Sequence, residues 1–228
     1  MRRAFPLFLL FVLAVWTVVP AWGASKDKDE ETLKNAATVL QEVAPKISSD
    51  LLAKAQCILV LPNVKKGGFI VGGSGGRGAL SCRSGEKFNG KWSTPAMYSI
   101  GGASVGLQVG GSSTDFVLLV MDDKGVNAIL QDKTKVGADA SATAGPSSAA
   151  STASNVGGAD LVTYSRSSGL FAGVSLDGAT LHQDVDANQR LYDKKISAKE
   201  IVRDGAVAPT EGGKQFLSVL DKSAPSHK

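Results

Sequence analysis

"IVGGSGGRGAL" runs from Ile70 to Leu80 and contains two well-known functional patterns. Gly73-Ser74-Gly75-Gly76-Arg77-Gly78 spells G-x-G-x-x-G, the loop that cradles a dinucleotide pyrophosphate, and Gly72 to Gly76 spells G-x-S-x-G, the elbow that carries a nucleophilic serine. Both patterns need a helix directly after the glycines. The next residues, Ala79-Leu80-Ser81-Cys82-Arg83-Ser84-Gly85, read instead as strand and turn, and no acidic residue about 20 positions on closes a second parallel strand. The stretch is therefore read as a bend. Ile70 and Val71 pack inward, the run from Gly72 to Gly76 turns the strand, and Arg77 emerges toward solvent. Glycine suits the corners of a curved sheet, because it permits sharp bends and close backbone approach.

The neighbouring segments supply strands for such a sheet. Cys57-Ile58-Leu59-Val60-Leu61 is short, apolar and bounded by Pro62, the pattern of a buried strand. From Ala103 to Gly110, Ala103, Val105, Leu107 and Val109 alternate with small or polar residues, which predicts a strand with one buried face. Phe116 to Met121 is apolar on both faces and reads as a central strand, with a short helix over Lys124 to Gln131 across its end. Leu170 to Val185 predicts a hairpin about Asp177-Gly178, whose two residues suit a type I′ turn. That turn sets Leu176 opposite Ala179, Val174 opposite Leu181, and His182 on the face of Gly173.

Helices lie at both ends. Leu33, Ala36, Ala37, Leu40, Val43 and Ala44 recur at helical spacing between Glu31 and Ala44, where Pro45 stops them, and Ser49-Asp50 caps a short helix through Ala55. Ser197-Ala198-Lys199-Glu200 is a capping box with Ile196 and Ile201 as its staple. Thr210 to Asp221 predicts a last helix. Ala138 to Asn155 is rich in Ala, Ser and Thr, and at least its second half is expected to be a mobile loop. Short strands flanked by helices give an α+β class, an antiparallel β-barrel core with a few helices packed on its outside.

The first 23 residues read as a secretory leader, with Arg2-Arg3, an apolar run from Leu7 to Val19, and the small-residue site Ala21-Trp22-Gly23. Export to the periplasm or cell envelope is expected. Setting the leader aside, two of its residues basic, leaves 205 of 228 residues with 23 Lys and Arg against 21 Asp and Glu. One domain over 24–222 is expected, its core about 31–203, with a polar tail at 223–228. So balanced a charge does not favour nucleic acid. In an oxidising compartment Cys57 and Cys82 can form one disulfide or remain two separate thiols.

Candidate chemistry is sparse. Gly102-Ala103-Ser104-Val105-Gly106 repeats the serine pattern, and Asp160 and His182 come after it in hydrolase order, but Ser104 sits within an alternating strand. Asp184-Val185-Asp186-Ala187-Asn188 opens like a calcium loop and then departs from it at Gln189 and Lys195. Two histidines and two distant cysteines make no zinc set, and no cofactor is implied. The remaining chemistry is cationic. Lys65, Lys66, Arg77, Arg83, Lys87 and Lys91 lie within 27 residues and are expected to share one rim that attracts lipid phosphates.

The chain resembles the SYLF domain family from about Glu31 to Ile201. The resemblance rests on Ala55 to Pro62, on Gly72-Gly73 with Gly76-Arg77-Gly78, and on Trp92-Ser93-Thr94-Pro95. It continues through Gly106 to Gly110, Ala144-Gly145-Pro146, and Tyr164 to Gly173. It implies a non-enzymatic β-barrel module that binds phosphoinositides or other acidic phospholipids, some fungal relatives also binding actin. Two departures stand out. The helix from Glu31 to Ala44 has one cation, Lys34, where a membrane-surface helix is richer in them. After Gly145-Pro146, where relatives place Gly-Arg, this chain has Ser147-Ser148-Ala149-Ala150. Phosphatidylglycerol or cardiolipin are the expected ligands of an exported bacterial protein, and an envelope protein partner is the alternative.

Overall fold

The computed structural model describes residues 25–68, 71–105, 112–146, 156 and 158–225. The leader, the inward packing of Ile70 and Val71, the strand end at 106–110 and the loop expected in the second half of the Ala/Ser/Thr-rich segment fall outside the described residues. Helix α1 spans Lys26–Val43 and starts five residues before the apolar periodicity does. Its start is polar: the Ser25 hydroxyl accepts from the Lys28 N–H, and Asp27 and Asp29 occupy the first turn, where the helix dipole favours negative charge. A 3-10 turn, Ala44–Lys46, carries Pro45, and α2 comes next over Ser49–Lys54 with Ser48 in the cap position.

Nine strands make one sheet among the described residues. They are β1 Cys57–Gly68, β2 Val71–Cys82, β3 Ala96–Val105, β4 Ser112–Val120, β5 Lys133–Lys135, β6 Ala142–Ala144, β7 Leu161–Ser167, β8 Leu170–Gly173 and β9 Thr180–Gln183. Their spatial order is β5-β9-β3-β2-β1-β4-β7-β6, with β8 also on β7. All neighbours are antiparallel except β6 and β7. The expected α+β class holds, but the barrel is half of one: the curled sheet ends at the three-residue strands β5 and β6, which do not pair with each other. Nor does β1 stop at Pro62. It bulges there, the register with β4 shifting between Leu61 and Val64. Proline cannot supply a ladder donor, and Asn63 absorbs the kink at φ 53, its N–H held by Asp115 Oδ1 at 2.9 Å.

Helices cover both faces of the sheet, not one. Ile58, Val60, Met97, Val117 and Val162 meet α1, α2, α4 (Val185–Tyr192) and α6 (Glu211–Ser223). Leu59, Leu61, Tyr98, Phe116 and Leu118 meet α3 (Asp123–Ile129) and α5 (Ala198–Val202). Two-sided burial explains why Phe116 to Val120 is continuously apolar. The capping box on α5 forms as expected, Ser197 accepting from the Glu200 N–H and Glu200 from the Ser197 N–H. Helix α6 continues to Ser223, and Ala224 is fully buried, so packing persists into the stretch that reads as a polar tail.

The expected hairpin about Asp177-Gly178 does not form. Strand β8 pairs with β7, and β9 pairs with β3 and β5, so the two predicted arms belong to different parts of the sheet. Among the described residues the pair of consecutive positive-φ residues is Ser168 (φ 48) and Gly169 (φ 80), which join β7 to β8 with Ser167 opposite Leu170. At Asp177-Gly178 only Gly178 has positive φ, and the turn docks just beyond β5, Gly178 N–H donating to Val136 O and Val136 N–H to Ala179 O, each 2.9 Å. His182 accordingly faces Ser99 and Lys133 rather than Gly173.

Cys57 and Cys82, opposite each other on β1 and β2, are joined by a disulfide. It closes a 25-residue separation, and the constraint it places on the unfolded chain is worth about 3.5 kcal/mol. The paired change Cys57→Ala and Cys82→Ala is expected to lower unfolding free energy by that amount in urea titration. A wild-type midpoint under both reducing and oxidising conditions would show that the bridge contributes nothing.

Candidate functional site

The long strands β1 and β2 decide where the predicted cations go. Lys65 is opposite Gly75, while Cys82 is opposite Cys57 at the other end of the pair. Seven residues of strand at ~3.3 Å each put about 23 Å between those positions. Lys87 and Lys91 come after Cys82 in the loop before β3, so they lie at the far end from Lys65. The six cations do not form one rim. Lys65, Lys87 and Lys91 are exposed and form no ion pair with a described residue. The Lys66 side chain lies outside the described residues, its backbone pairing with Ser74 and Ser112.

The two arginines turn inward, contrary to the expectation that Arg77 emerges. Arg77 Nη2 lies 2.7 Å from Asp29 Oδ1 and its Nε donates to Asp184 Oδ2 at 2.6 Å. Asp29 is fully buried and also receives Arg190 Nε at 2.7 Å, while Asp184 caps α4 by accepting from the Ala187 N–H. This cluster fastens α1, β2 and α4 together. The hydrogen bond from Arg190 to Asp29 raises the Arg190 pKa. Asp184, the first residue of the calcium-like pattern, is thus a helix cap and an arginine partner.

Arg83 is 2% exposed. Its Nε donates to Ala55 O at 3.2 Å, its Nη2 to Ala224 O at 2.9 Å and Pro225 O at 3.0 Å, and its guanidinium stacks 4.3 Å from the Trp92 ring. Burial lowers its pKa, with Asp221 partly opposing the shift. Trp92 Nε1 donates to the same Ala224 oxygen at 2.9 Å. Arg83 therefore satisfies the open carbonyls at the end of α6 and is not presented to a ligand.

Three features escaped the sequence reading. Lys133 and Lys135 are exposed on either side of buried Thr134 in edge strand β5, an alternation visible in Lys-Thr-Lys. Arg166 on β7 is held by Asp115, with Nη2 to Oδ2 at 2.6 Å, and by Glu42 of α1. Leu170, at the β7–β8 turn, is 78% exposed, the one large hydrophobic so exposed among the described residues. A preceding Ser-Gly pair marks its turn, but exposure itself has no local signature.

The residues of the hydrolase alternative do not converge. His182 is opposite Ser99, five positions and about 17 Å along β3 from Ser104, and Asp160 precedes β7, five strands away across the sheet. Asp160 instead accepts from Lys124 Nζ at 2.9 Å and from Ser141 N–H and Oγ at 2.6 and 2.8 Å. Burial is the largest influence and pushes its carboxyl up, but these bonds together hold it below the usual carboxylate value. Gly73 to Gly78 lie within β2, with no helix after them. Among the described residues no group of three or more His, Cys, Asp or Glu can hold a metal, and no helix is long and apolar enough to cross a membrane. A recess of about 380 Å³ is lined by Phe88, Asp123, Lys199, Arg203 and Asp204, among others. Its Arg203 is committed, stacking 4.0 Å from Phe88 and donating to Arg83 O and Gly85 O at 2.9 and 3.0 Å.

The architecture is thus a braced half-barrel with exposed lysines that make no ion pair with a described residue. The family described as "Ysc84: Las17-binding protein actin regulator" matches residues 101–223, more than half of the chain. An SH3 domain-containing protein of Schizosaccharomyces pombe is 34% identical over 186 residues, 79% of this chain and 41% of the relative. LAS seventeen-binding protein 3 of Saccharomyces cerevisiae is 32% identical over 187 residues, 80% and 40% of the two chains. The human SH3 domain-containing YSC84-like protein 1 is 31% identical over 179 residues, 77% of this chain and 51% of that one. This chain therefore spans about half or less of these relatives. It belongs to the Ysc84 family, which is the SYLF family that its sequence blocks resemble.

Proposed function

We propose that this chain is a non-enzymatic module that binds acidic phospholipid head groups weakly at a membrane surface. The observation that carries the reading is the set of exposed lysines that make no ion pair with a described residue once Arg77 and Arg83 are used internally. Lys65, Lys87, Lys91, Lys133 and Lys135 all stand exposed on the sheet or its loops. Each such cation near an anionic surface contributes roughly 1 kcal/mol, so the binding is weak and salt-sensitive. A location in the cell envelope, reached through the leader at residues 1–23, is part of the proposal, and the Cys57–Cys82 disulfide supports an oxidising compartment. Phosphatidylglycerol and cardiolipin are the ligands such a location offers.

The mature chain is expected to co-sediment with phosphatidylglycerol vesicles at low salt, to bind them more weakly at moderate salt, and to ignore neutral vesicles. Equal binding to both vesicle types, or to neither, overturns the proposal. The names of the relatives support a second reading, a protein-interaction domain whose lipid binding is incidental. One stoichiometric envelope partner in a pull-down, with function intact after Lys65→Glu and Lys66→Glu, would favour it.

A further inference from the structure

Leu170 has no packing role that explains it. It sits directly after the Ser168-Gly169 turn, opposite Ser167, and 78% of it is open to solvent. The next residue, Phe171, behaves differently: its ring stacks on Tyr164 at 5.2 Å and carries the Lys46 ammonium 5.7 Å from its centroid. The turn is therefore anchored from one side and presents its leucine on the other.

The register places this turn at the same end of the sheet as Lys65. Ser167 Oγ donates to Ser113 O at 3.3 Å, and Ser113 is opposite Lys65. Lys65 on β1 is thus two strand spacings, about 10 Å, from the end of β7, and Leu170 on β8 is one spacing further. Two carboxylates of this region, Asp115 and Glu42, are taken up by Arg166, with Asp115 also accepting from the Asn63 N–H. Lys46 and Lys65 make no ion pair with a described residue. This end of the sheet thus carries an apolar tip on one face and, on the other, two ammonium groups that make no ion pair with a described residue.

We infer that this end of the sheet is the membrane-contact surface, with Leu170 entering the lipid boundary while Lys46 and Lys65 meet the phosphates of anionic head groups. The inference rests on the acidic-lipid reading and locates it. Area favours a bilayer over a protein: a stable protein interface buries roughly 800 Å² on each side, far more than one leucine supplies. A bilayer sets no such threshold, and an apolar tip with cations at the same end of the sheet satisfies both of its layers.

The test uses the mature chain with vesicles of phosphatidylcholine alone or mixed with phosphatidylglycerol. Leu170→Ser is expected to weaken binding to the anionic vesicles about tenfold, at both low and moderate salt, with the thermal midpoint unchanged because the side chain is exposed. Leu170→Trp supplies a second, positional readout, its fluorescence shifting to the blue when anionic vesicles are added. Wild-type-like binding by Leu170→Ser, or no spectral shift in Leu170→Trp, overturns the inference while lipid binding by the parent protein leaves the broader reading standing. Failure of the parent to bind overturns both. Loss of self-association in Leu170→Ser, with vesicle binding retained, would assign the tip to a second copy of the chain and also overturn it.

Discussion

Gly78→Ala is expected to destabilise the protein by about 4 kcal/mol, above the usual range for overpacking. A methyl group built at Gly78 would overlap Val60 O and lie 2.8 Å from both Val60 C and Leu61 Cα. These are backbone atoms of the neighbouring strand, so no rotamer change relieves the clash and β1 must move away from β2. The site is just above the bulge, where the β1–β2 register shifts between Val60 and Lys65. Gly75→Ala is the matched control. Its methyl meets only Ile100 O, at 4.0 Å, and its effect should stay within about 0.5 kcal/mol. Urea unfolding of the two variants reads the contrast directly. Equal stabilities would mean that β1 and β2 do not approach so closely. Only one of these two glycines in the opening stretch is then required by packing.

The second large effect falls on Asp29, where Asp29→Asn should cost about 3–4 kcal/mol. The carboxylate is fully buried and bonded to Arg77 at 2.7 Å and to Arg190 at 2.7 and 3.3 Å. Removing its charge leaves two guanidinium groups facing an amide. Breaking a buried pair by deleting one partner costs roughly 3–5 kcal/mol. The lower part of that range applies here, because the arginine side chains are 29% and 28% exposed and regain some hydration. Adding Arg190→Gln to Asp29→Asn should cost less than the sum of the two single changes, since both act on one cluster. A single-variant loss below about 1 kcal/mol in the same titration would remove Asp29 from the role of fastener between α1, β2 and α4.

Much of the fold is legible because its signals are local. The apolar spacing of Leu33, Ala36, Ala37, Leu40 and Val43 names the buried face of α1, and Ser197 with Glu200 names the start of α5. These rest on interactions within a few residues, which short windows contain. The hairpin reading failed at the next scale. Ser168-Gly169 and Asp177-Gly178 are near equals as turn dipeptides, and what separates them is that β7 extends the sheet at β4 while β9 joins β3. Strand partnership is a long-range choice that neither dipeptide encodes.

The candidate site divides along the same line. By itself the sequence determined the α+β class, the terminal helices, the central apolar strand and, through its motif blocks, the family. The tertiary structure alone decided which of the described cations are drawn into internal contacts and which stay exposed. Arg77 and Arg83 look no different from Lys65 in a charge count, yet one meets Asp29, 48 residues earlier, and the other meets Ala224, 141 residues later. A buried guanidinium must find its partners wherever folding puts them. An exposed lysine needs none. Folding therefore consumed Arg77 and Arg83 as internal fasteners, and among the described residues it left lysines and Leu170 facing outward.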